Sequence, residues 1–355
     1  MKKILLKIFF LFIPFAIIII ATNYFVDPAN IFSEDEYIDK IADIIASGNN
    51  ADNIVNCNER LLQKKYLQKV KVNNPDVVIM GSSRVMEIGS NIYGNKKILN
   101  EGVSHANIND LIALAGLMDE LKIIPKEAVI NIDPFLICKN SDATGEWLTL
   151  KEYYSKFTNA NCSNLIKKDI DEEKGNKQKK YYSLIAFDYF QKSIEFLYKG
   201  NTKSVINIGK NIPQKFGRYP DGSIAYPYKY QHPDTLITAN VAKGMGKLII
   251  SEIDKDNFLL LKCLLDYFKK NGTSVTLLML PYHPDFYDAV NQKQKDILLT
   301  YETFYNNFAH ENNLKIIGSF DAKKEGLNKV DFYDTYHCNG NAIKIIFENS
   351  NKKIK

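Results

Sequence analysis

The amino-acid sequence predicts an α/β fold, a doubly wound parallel sheet of about five strands. Five short apolar segments are typical of strands that are buried on both faces, as in a parallel sheet. These segments cover residues 76–80, 97–100, 128–132, 274–280 and 314–318. Leucines at helical spacing near 109–122 and 256–270 predict helices between the strands. Strands that alternate with helices indicate a parallel sheet covered by helices.

The amino terminus predicts a membrane anchor. Lys2, Lys3 and Lys7 precede the uncharged apolar run 8–21, which continues to Val26. About 20 apolar residues are needed to cross a bilayer, and the lysines favour a cytoplasmic start. We therefore expect a single-pass signal anchor in the cell membrane with the rest of the chain outside the cytoplasm. A cleaved signal peptide is the alternative, but no clear cleavage site follows the run.

Three segments are expected along the chain. Residues 1–30 form the cytoplasmic start and the anchor, and 31–72 form a helical juxtamembrane linker. Residues 73–355 form the catalytic domain, which a partly helical, cap-like insertion at 141–250 interrupts. An excursion of this length is usually functional or disordered. The cap is expected to bind substrate, with Arg218 as a candidate contact, and an inert surface insertion is the alternative.

Composition limits the class of protein. The 355 residues are 45% hydrophobic and 25% charged, which is enough apolar material for a full core. The net charge of +5 comes from scattered lysines, so nucleic acid is not an expected partner. The cysteines lack the spacing of a zinc site, and neither a metal nor a cofactor is implied. A disulfide between Cys138 and Cys162 is expected, with Cys263 as a core residue on a helical face.

Two motifs carry the candidate chemistry. Gly81-Ser82-Ser83 directly follows the first apolar strand, so a serine hydroxyl is expected at the carboxyl edge of the sheet. Asp334 and His337 are three residues apart on one loop before the last helix, where they can supply a base and the group that orients it. Together the motifs predict a serine hydrolase or acyltransferase site. Each motif alone also fits a helix cap or a solvated turn.

Another histidine competes for the role of base. His283 follows the fourth predicted strand and therefore also lies at the functional edge, but no carboxylate is placed as well to orient it. His337, Asp334 and His283 together have no recognisable metal-ligand spacing, so no metal site is predicted.

These residues resemble the SGNH/GDSL hydrolase superfamily over roughly 76–140 and 270–345. By this resemblance Ser83 is the nucleophile, with His337 and Asp334 completing the triad. Asn100-Glu101-Gly102 matches the second block of the family, which implies that Gly102 donates its N–H to an oxyanion together with the N–H of Ser83.

The third block departs from the family pattern. The family has an asparagine in the oxyanion hole where spacing places Asp133 here, and Asn131 is the nearest candidate donor. A carboxylate cannot stabilise an oxyanion unless it is protonated. The Asp-Pro pair resembles the membrane-anchored envelope branch, which includes the D-alanyl transfer protein of teichoic-acid modification and the alginate O-acetylation proteins. Ser82, Arg84, Asp133 and His283 are expected at the edge of the site.

The resemblance implies an anchored serine esterase or O-acyltransferase that acts on ester groups of a cell-envelope polysaccharide or teichoic-type polymer. A membrane acyl-donor protein is a further candidate partner. Two alternatives remain open at this stage: a non-catalytic envelope assembly partner that keeps the fold, and a lipase-like enzyme. Hydrolysis and transfer use the same catalytic residues, and the sequence does not separate them.

Overall fold

A five-stranded parallel sheet forms the centre of the computed structural model, which describes residues 2–70, 74–139, 141, 145–162, 181–200, 204–234, 238, 240, 251–290 and 292–353. The strands of the described residues are β1 (Ala51–Asp52), β2 (Val77–Met80), β3 (Ile98–Asn100), β4 (Glu127–Asn131), β5 (Ile206–Asn207), β6 (Gly217–Arg218), β7 (Ile224–Ala225), β8 (Ser274–Met279) and β9 (Lys315–Gly318). The large sheet has the order β3-β2-β4-β8-β9, and each neighbouring pair is parallel. The predicted α/β class with five parallel strands is therefore confirmed.

Helices cover both faces of this sheet. The described helices of the chain include α1 (Lys2–Val26), α2 (Glu34–Ala46), α3 (Glu59–Lys69), α4 (Ser90–Tyr93), α5 (Ile108–Glu120), α6 (Pro134–Ile137), α7 (Lys151–Asn161), α8 (Phe187–Tyr198), α9 (Tyr228–Gln231), α10 (Lys255–Lys270), α11 (Pro284–Ala289), α12 (Gln292–Glu311) and α13 (Gly340–Lys353). Alternate residues of β2 enter different cores, because successive side chains of a strand point to opposite faces. Val78 and Met80 pack with α2, α3 and α5, whereas Val77 and Ile79 pack with α13.

The strand order places a topological switch point between β2 and β4. β2, the first strand of the large sheet along the chain, lies between β3 and β4. The connection that follows β2 leads to β3 on one side, and the connection that follows β4 leads to β8 on the other side. The connections after β2 and β4 therefore run in opposite directions across the sheet. Ligands of doubly wound sheets bind at the carboxyl ends of strands at such a point. Ser83 follows β2 and Asp133 follows β4, so both lie at this edge.

The described part of the segment 31–72 that was expected to form a linker, residues 31–70, packs against the domain. Ile38 and Ile41 of α2 and Leu62 and Tyr66 of α3 are buried in the larger core. The two-residue strand β1 pairs with β5 and β6 of the segment 141–250, and β7 completes a small antiparallel sheet. The segments expected as linker and cap thus build one substructure over the carboxyl edge of the large sheet. Part of the insertion, including 163–180 and 241–250, lies outside the described residues.

The expected transmembrane helix is not found. Across the part of the chain described here, no helix is long and apolar enough to cross a membrane.

One disulfide joins Cys162, at the end of α7, to Cys263 on α10. The predicted Cys138–Cys162 pair is therefore wrong. The Cys138 thiol is buried and contacts the carbonyl of Phe135 instead. Cys263 is nevertheless part of the core, as expected.

Reduction of this disulfide should lower the free energy of unfolding by about 2–4 kcal/mol, because the crosslink spans 101 residues and restricts the unfolded chain. Urea unfolding with and without dithiothreitol measures the difference. A Cys162→Ser, Cys263→Ser double variant is the control, since dithiothreitol should leave its stability unchanged. Equal stability of the reduced and oxidised natural chain would contradict the expectation.

Candidate active site

The first site element is the tight turn that directly follows β2. Gly81 is required there because a Cβ atom would lie 2.5 Å from the Cβ of Asn131 on the neighbouring strand. The chain then turns into a short 3₁₀ helix, Ser83–Val85, which the Ser82 side chain caps. Ser83 is thereby presented as the first residue of this helix, half-buried at the carboxyl edge of the sheet.

The second site element is the loop between the 3₁₀ turn Lys329–Asp331 and α13. The N–H of Tyr333 donates to the carbonyl of His337 at 2.9 Å, which closes the loop on itself. Asp334 Oδ1 accepts the backbone N–H groups of Tyr336 at 2.8 Å and His337 at 2.9 Å. The Asp-x-x-His spacing therefore folds the loop as well as supplying two functional groups.

Ser83, His337 and Asp334 form a connected triad. Ser83 Oγ lies 2.8 Å from His337 Nε2, and His337 Nδ1 lies 2.8 Å from Asp334 Oδ2. Burial alone would raise the pKa of Asp334, but the hydrogen bond and charge of His337 hold it well below its usual value. An ionised Asp334 fixes the proton of the imidazole on Nδ1, which leaves Nε2 free to accept the proton of Ser83.

A cavity of about 430 Å³ opens beside Ser83 and His337. The expected linker and the expected cap both line it. Its lining includes Cys57, Glu59, Met86, His105, Phe216, Arg218, Tyr226 and Tyr230. Arg218, a predicted substrate contact, is itself buried and pairs with Glu59 at 2.9 Å. The cavity therefore has an aromatic side from residues 216–230 and a charged pair in its wall.

Tyr230 is a site residue that the sequence analysis missed. Its hydroxyl donates to Asp334 Oδ2 at 2.7 Å, and its ring stacks on Tyr226 at 4.7 Å. No spacing motif links residue 230 to residue 334. Only the folding of the insertion over the sheet edge brings them together.

If the triad activates Ser83, replacing Tyr230 by phenylalanine should lower the rate of ester cleavage about ten-fold, equivalent to ~1.4 kcal/mol. The change removes one hydrogen bond to a charged carboxylate that orients the base. Steady-state kinetics with a small aryl ester measures it. Tyr228→Phe is the matched control on α9, because Tyr228 is exposed and stacks on His232. A rate equal to that of this control would contradict the assigned contact.

Two of the three predicted oxyanion donors are engaged elsewhere. The N–H of Gly102 donates to Asn100 Oδ1 at 2.8 Å, and Asn131 Nδ2 donates to the carbonyl of Leu278 at 3.1 Å. Asn131 thus ties β4 to β8, while its Oδ1 lies 3.3 Å from the Oγ of Ser82. The N–H of Ser83 donates to no other group within the described ranges. In this state the backbone N–H of Ser83 is the predicted donor that is available to bind an oxyanion.

The expected site-edge residues Arg84 and Asp133 form a buried ion pair. Arg84 Nη1 donates to Asp133 Oδ1, and Arg84 Nε donates to the carbonyl of Tyr336 at 2.9 Å. Ser82 Oγ donates to the other Asp133 oxygen at 3.0 Å. Arg84 therefore connects the serine turn, the end of β4 and the histidine loop.

His283 does not take the role of base. It is fully buried, and its Nδ1 accepts the N–H of Asp285 at 3.1 Å as the cap of α11. Burial lowers the pKa of His283, so the ring is neutral. Its backbone N–H donates to the carbonyl of Thr335 at 3.0 Å, which supports the loop that carries His337. Within the described ranges no cluster of His, Cys, Asp or Glu is suited to hold a metal ion.

Glu101 lies buried behind the site. Neither of its carboxylate oxygens has a hydrogen-bond partner in the part of the chain that is described. Burial raises the pKa of Glu101 to about 8, against the weaker opposing attraction of Arg218. The carboxyl group is therefore protonated at neutral pH.

The free energy of unfolding should fall as pH rises from about 4.5 to about 8. The reason is that Glu101 loses its proton at a lower pH in the unfolded chain than in the folded chain. Glu101→Gln should remove a decrease on the order of 4 kcal/mol over this window. Urea unfolding at pH 5 and pH 8 measures it, with Glu311→Gln as a control at an exposed position. An identical pH dependence in the natural chain and the Glu101→Gln variant would contradict the assignment.

Comparison with known proteins adds no family. No protein-family model matches the chain. No curated protein gives a significant match either.

Proposed function

We propose that this chain is a membrane-anchored, extracytoplasmic serine esterase or O-acyltransferase of the SGNH type. Its proposed substrates are the ester groups of a cell-envelope polysaccharide or teichoic-type polymer. The observation that carries the proposal is the continuous contact from Ser83 through His337 to Asp334 at the switch point of the sheet.

The triad defines the proposed reaction. His337 Nε2 takes the proton of Ser83 Oγ while the oxygen attacks the ester carbonyl, and Asp334 stabilises the imidazolium. The N–H of Ser83 is a donor for the oxyanion. The imidazolium then protonates the leaving alcohol, and an acyl-enzyme remains on Ser83. Water completes hydrolysis and a polymer hydroxyl completes transfer, both through the same base.

Two features support the proposed location. Phe12, Phe15 and Ile17 of α1 expose more than half of their side-chain surface, and exposed apolar surface of this kind favours insertion into lipid. The Cys162–Cys263 disulfide is typical of an oxidising compartment outside the cytoplasm. The first feature agrees with attachment to a membrane through α1, and the second agrees with a domain that lies outside the cytoplasm.

A fluorophosphonate probe tests catalysis on the full chain. Peptide mass spectrometry should find the adduct on Ser83, and both His337→Ala and Ser83→Ala should abolish labelling. Ser82→Ala is the matched control, because Ser82 contacts Asp133 and not His337. An adduct on Ser82, or labelling that persists in the His337→Ala variant, would contradict the proposed triad.

The second candidate is a non-catalytic assembly partner. It is favoured by the engaged donors of Gly102 and Asn131 and by the ion pair of Asp133. Removal of one oxyanion donor typically lowers the rate by about 10²–10³. Complementation separates the candidates: Ser83→Ala should leave the envelope polymer altered in its ester content if the chain is an enzyme. Full rescue by the Ser83→Ala variant would favour the assembly partner.

A further inference from the structure

Helix α8 is fixed to the end of α1 by a buried polar contact. Tyr189 donates its hydroxyl to Asp27 Oδ1 at 2.7 Å, and Asn23 Nδ2 donates to the carbonyls of Ser183 and Ala186 at 3.0 and 3.1 Å. Asn23 and Asp27 are fully buried. Such hydrogen bonds have directional geometry. The rotation of α8 about its axis is therefore set by its contact with α1.

This rotation leaves an apolar face of α8 exposed. Phe187, Ile194, Leu197 and Tyr198 are 59, 46, 55 and 91% exposed. Their spacing of three, four and seven residues places them on one side of the helix. The charged residues Asp188, Lys192 and Glu195 of α8 lie on another side and are also exposed, as is Lys199 directly after the helix. The helix thus has a docked side, an apolar side and a charged side.

The exposed apolar surface continues on both sides of this contact. Tyr181, Tyr182 and Ile185 directly precede α8 and are 64–70% exposed. At the end of α1, Tyr24 and Phe25 are 52 and 78% exposed. Tyrosines and other aromatic residues favour the boundary between lipid and water. Exposed apolar side chains are therefore present on α8, on the residues before it and on the end of α1 that they contact.

We propose that α8 lies in the membrane–water interface, with its apolar face in lipid and its charged face toward water. A helix with these two faces is suited to the plane of a bilayer surface. The inference rests on the proposed anchoring of α1, whose apolar surface α8 extends. Lipid is the occupant because the exposed aromatic and aliphatic side chains of α8 lie beside those at the end of α1, and the charged side of the helix can face water. Two membrane contacts, one of them along α8, fix the orientation of the catalytic domain relative to the bilayer.

Fluorescence quenching by brominated lipids tests the placement of α8 in the full chain. The natural chain has one tryptophan, Trp147, which is 7% exposed. In a Trp147→Phe background, Tyr198→Trp reports on α8, and Val330→Trp is the control on the turn beside the triad loop, where Val330 is 61% exposed. In phosphatidylcholine–phosphatidylglycerol vesicles, acyl chains brominated near the headgroup should quench the Tyr198→Trp variant at least two-fold more than the control.

Flotation of the vesicles distinguishes the proposed membrane attachment of the chain from the proposed placement of α8. Chain that floats with vesicles but shows equal, weak quenching in both variants overturns the placement of α8 and leaves the anchor in place. Chain that does not float overturns both. A concentration-dependent blue shift of the Tyr198→Trp variant in detergent, without bromine quenching in vesicles, identifies a second copy as the occupant and also overturns the inference.

A measurement on the unmodified chain covers the case in which Trp147→Phe fails to fold. Lipid that carries a photoreactive diazirine on its acyl chain should label peptides of residues 187–198 at least two-fold more than peptides around Leu299, which is exposed on α12. Equal labelling of the two regions overturns the placement. Probe labelling of Ser83 is measured on the same sample, so loss of catalysis is recorded separately from loss of the membrane contact.

Discussion

Replacing Asp334 by asparagine should slow acylation of Ser83 about 10⁴-fold while the fold remains intact. The backbone contacts of the loop survive this change, because an amide oxygen can still accept the N–H groups of Tyr336 and His337. Loop geometry and chemistry are therefore separable at this position.

The loss arises from the proton on the imidazole. Asp334 Oδ2 lies 2.8 Å from His337 Nδ1 and also accepts the hydroxyl of Tyr230. In the variant, an amide NH₂ at that place donates to Nδ1 and to the oxygen of Tyr230. The imidazole then carries its proton on Nε2, where it faces Ser83 Oγ and cannot accept a proton.

The rate of fluorophosphonate labelling of Ser83 measures this effect under pseudo-first-order conditions. Asp288→Asn is the matched control, since Asp288 is half-exposed and pairs with Lys323 on the surface. Circular dichroism and urea unfolding of both variants check the fold. A labelling rate of Asp334→Asn within ten-fold of the control would show that Asp334 does not set the tautomer.

The large sheet was predictable because parallel strands buried on both faces leave continuous apolar runs. Val77–Met80 and Ser274–Met279 are such runs, and both strands have the predicted position to within one residue. The serine and the Asp-x-x-His were predictable for a related reason. Each motif sets its own local turn, and strand order then places both at one edge.

The wall of the site was not predictable in the same way. β1 has two residues, Ala51 and Asp52, which is too short for any periodicity. Its pairing with β5 and β6 depends on chain segments more than 150 residues away, so 31–72 resembled a linker. Tyr230 reaches Asp334 only because that small sheet holds the insertion over the edge. Such contacts are tertiary and leave no local pattern.

Arg84 illustrates a third case, in which the position was predicted and the surroundings were not. Arg84, the basic residue after Gly-Ser-Ser, was expected at the edge of the site. The structure instead buries its side chain to 6% exposure against Asp133. Its guanidinium lies over the ring of Tyr282, and one nitrogen donates to the carbonyl of Pro281 at 2.7 Å. At this position at the edge of the site, the buried Arg84 supports the serine turn and the histidine loop.

Replacing Arg84 by methionine should lower the free energy of unfolding by about 3–5 kcal/mol, because it leaves a buried carboxylate without its cation. Asp133 would retain one hydrogen bond from Ser82. The carbonyls of Tyr336, Leu280 and Pro281 would also lose their donors. The lost hydrogen bonds contribute to this cost, because the apolar side chain of methionine cannot donate to these carbonyls.

Urea unfolding compares this variant with Lys323→Met, which breaks the half-exposed pair with Asp288 and should cost about 0–1 kcal/mol. The Arg84→Met, Asp133→Leu double variant should lose less stability than the sum of the single changes, since no charge is left buried. Arg84→Lys covers the case in which the methionine variant does not accumulate. Its single ammonium keeps the charge but cannot reach Asp133 and the carbonyls of two loops at once. A cost for Arg84→Met equal to that of Lys323→Met would mean that Arg84 does not hold the serine turn and the histidine loop together.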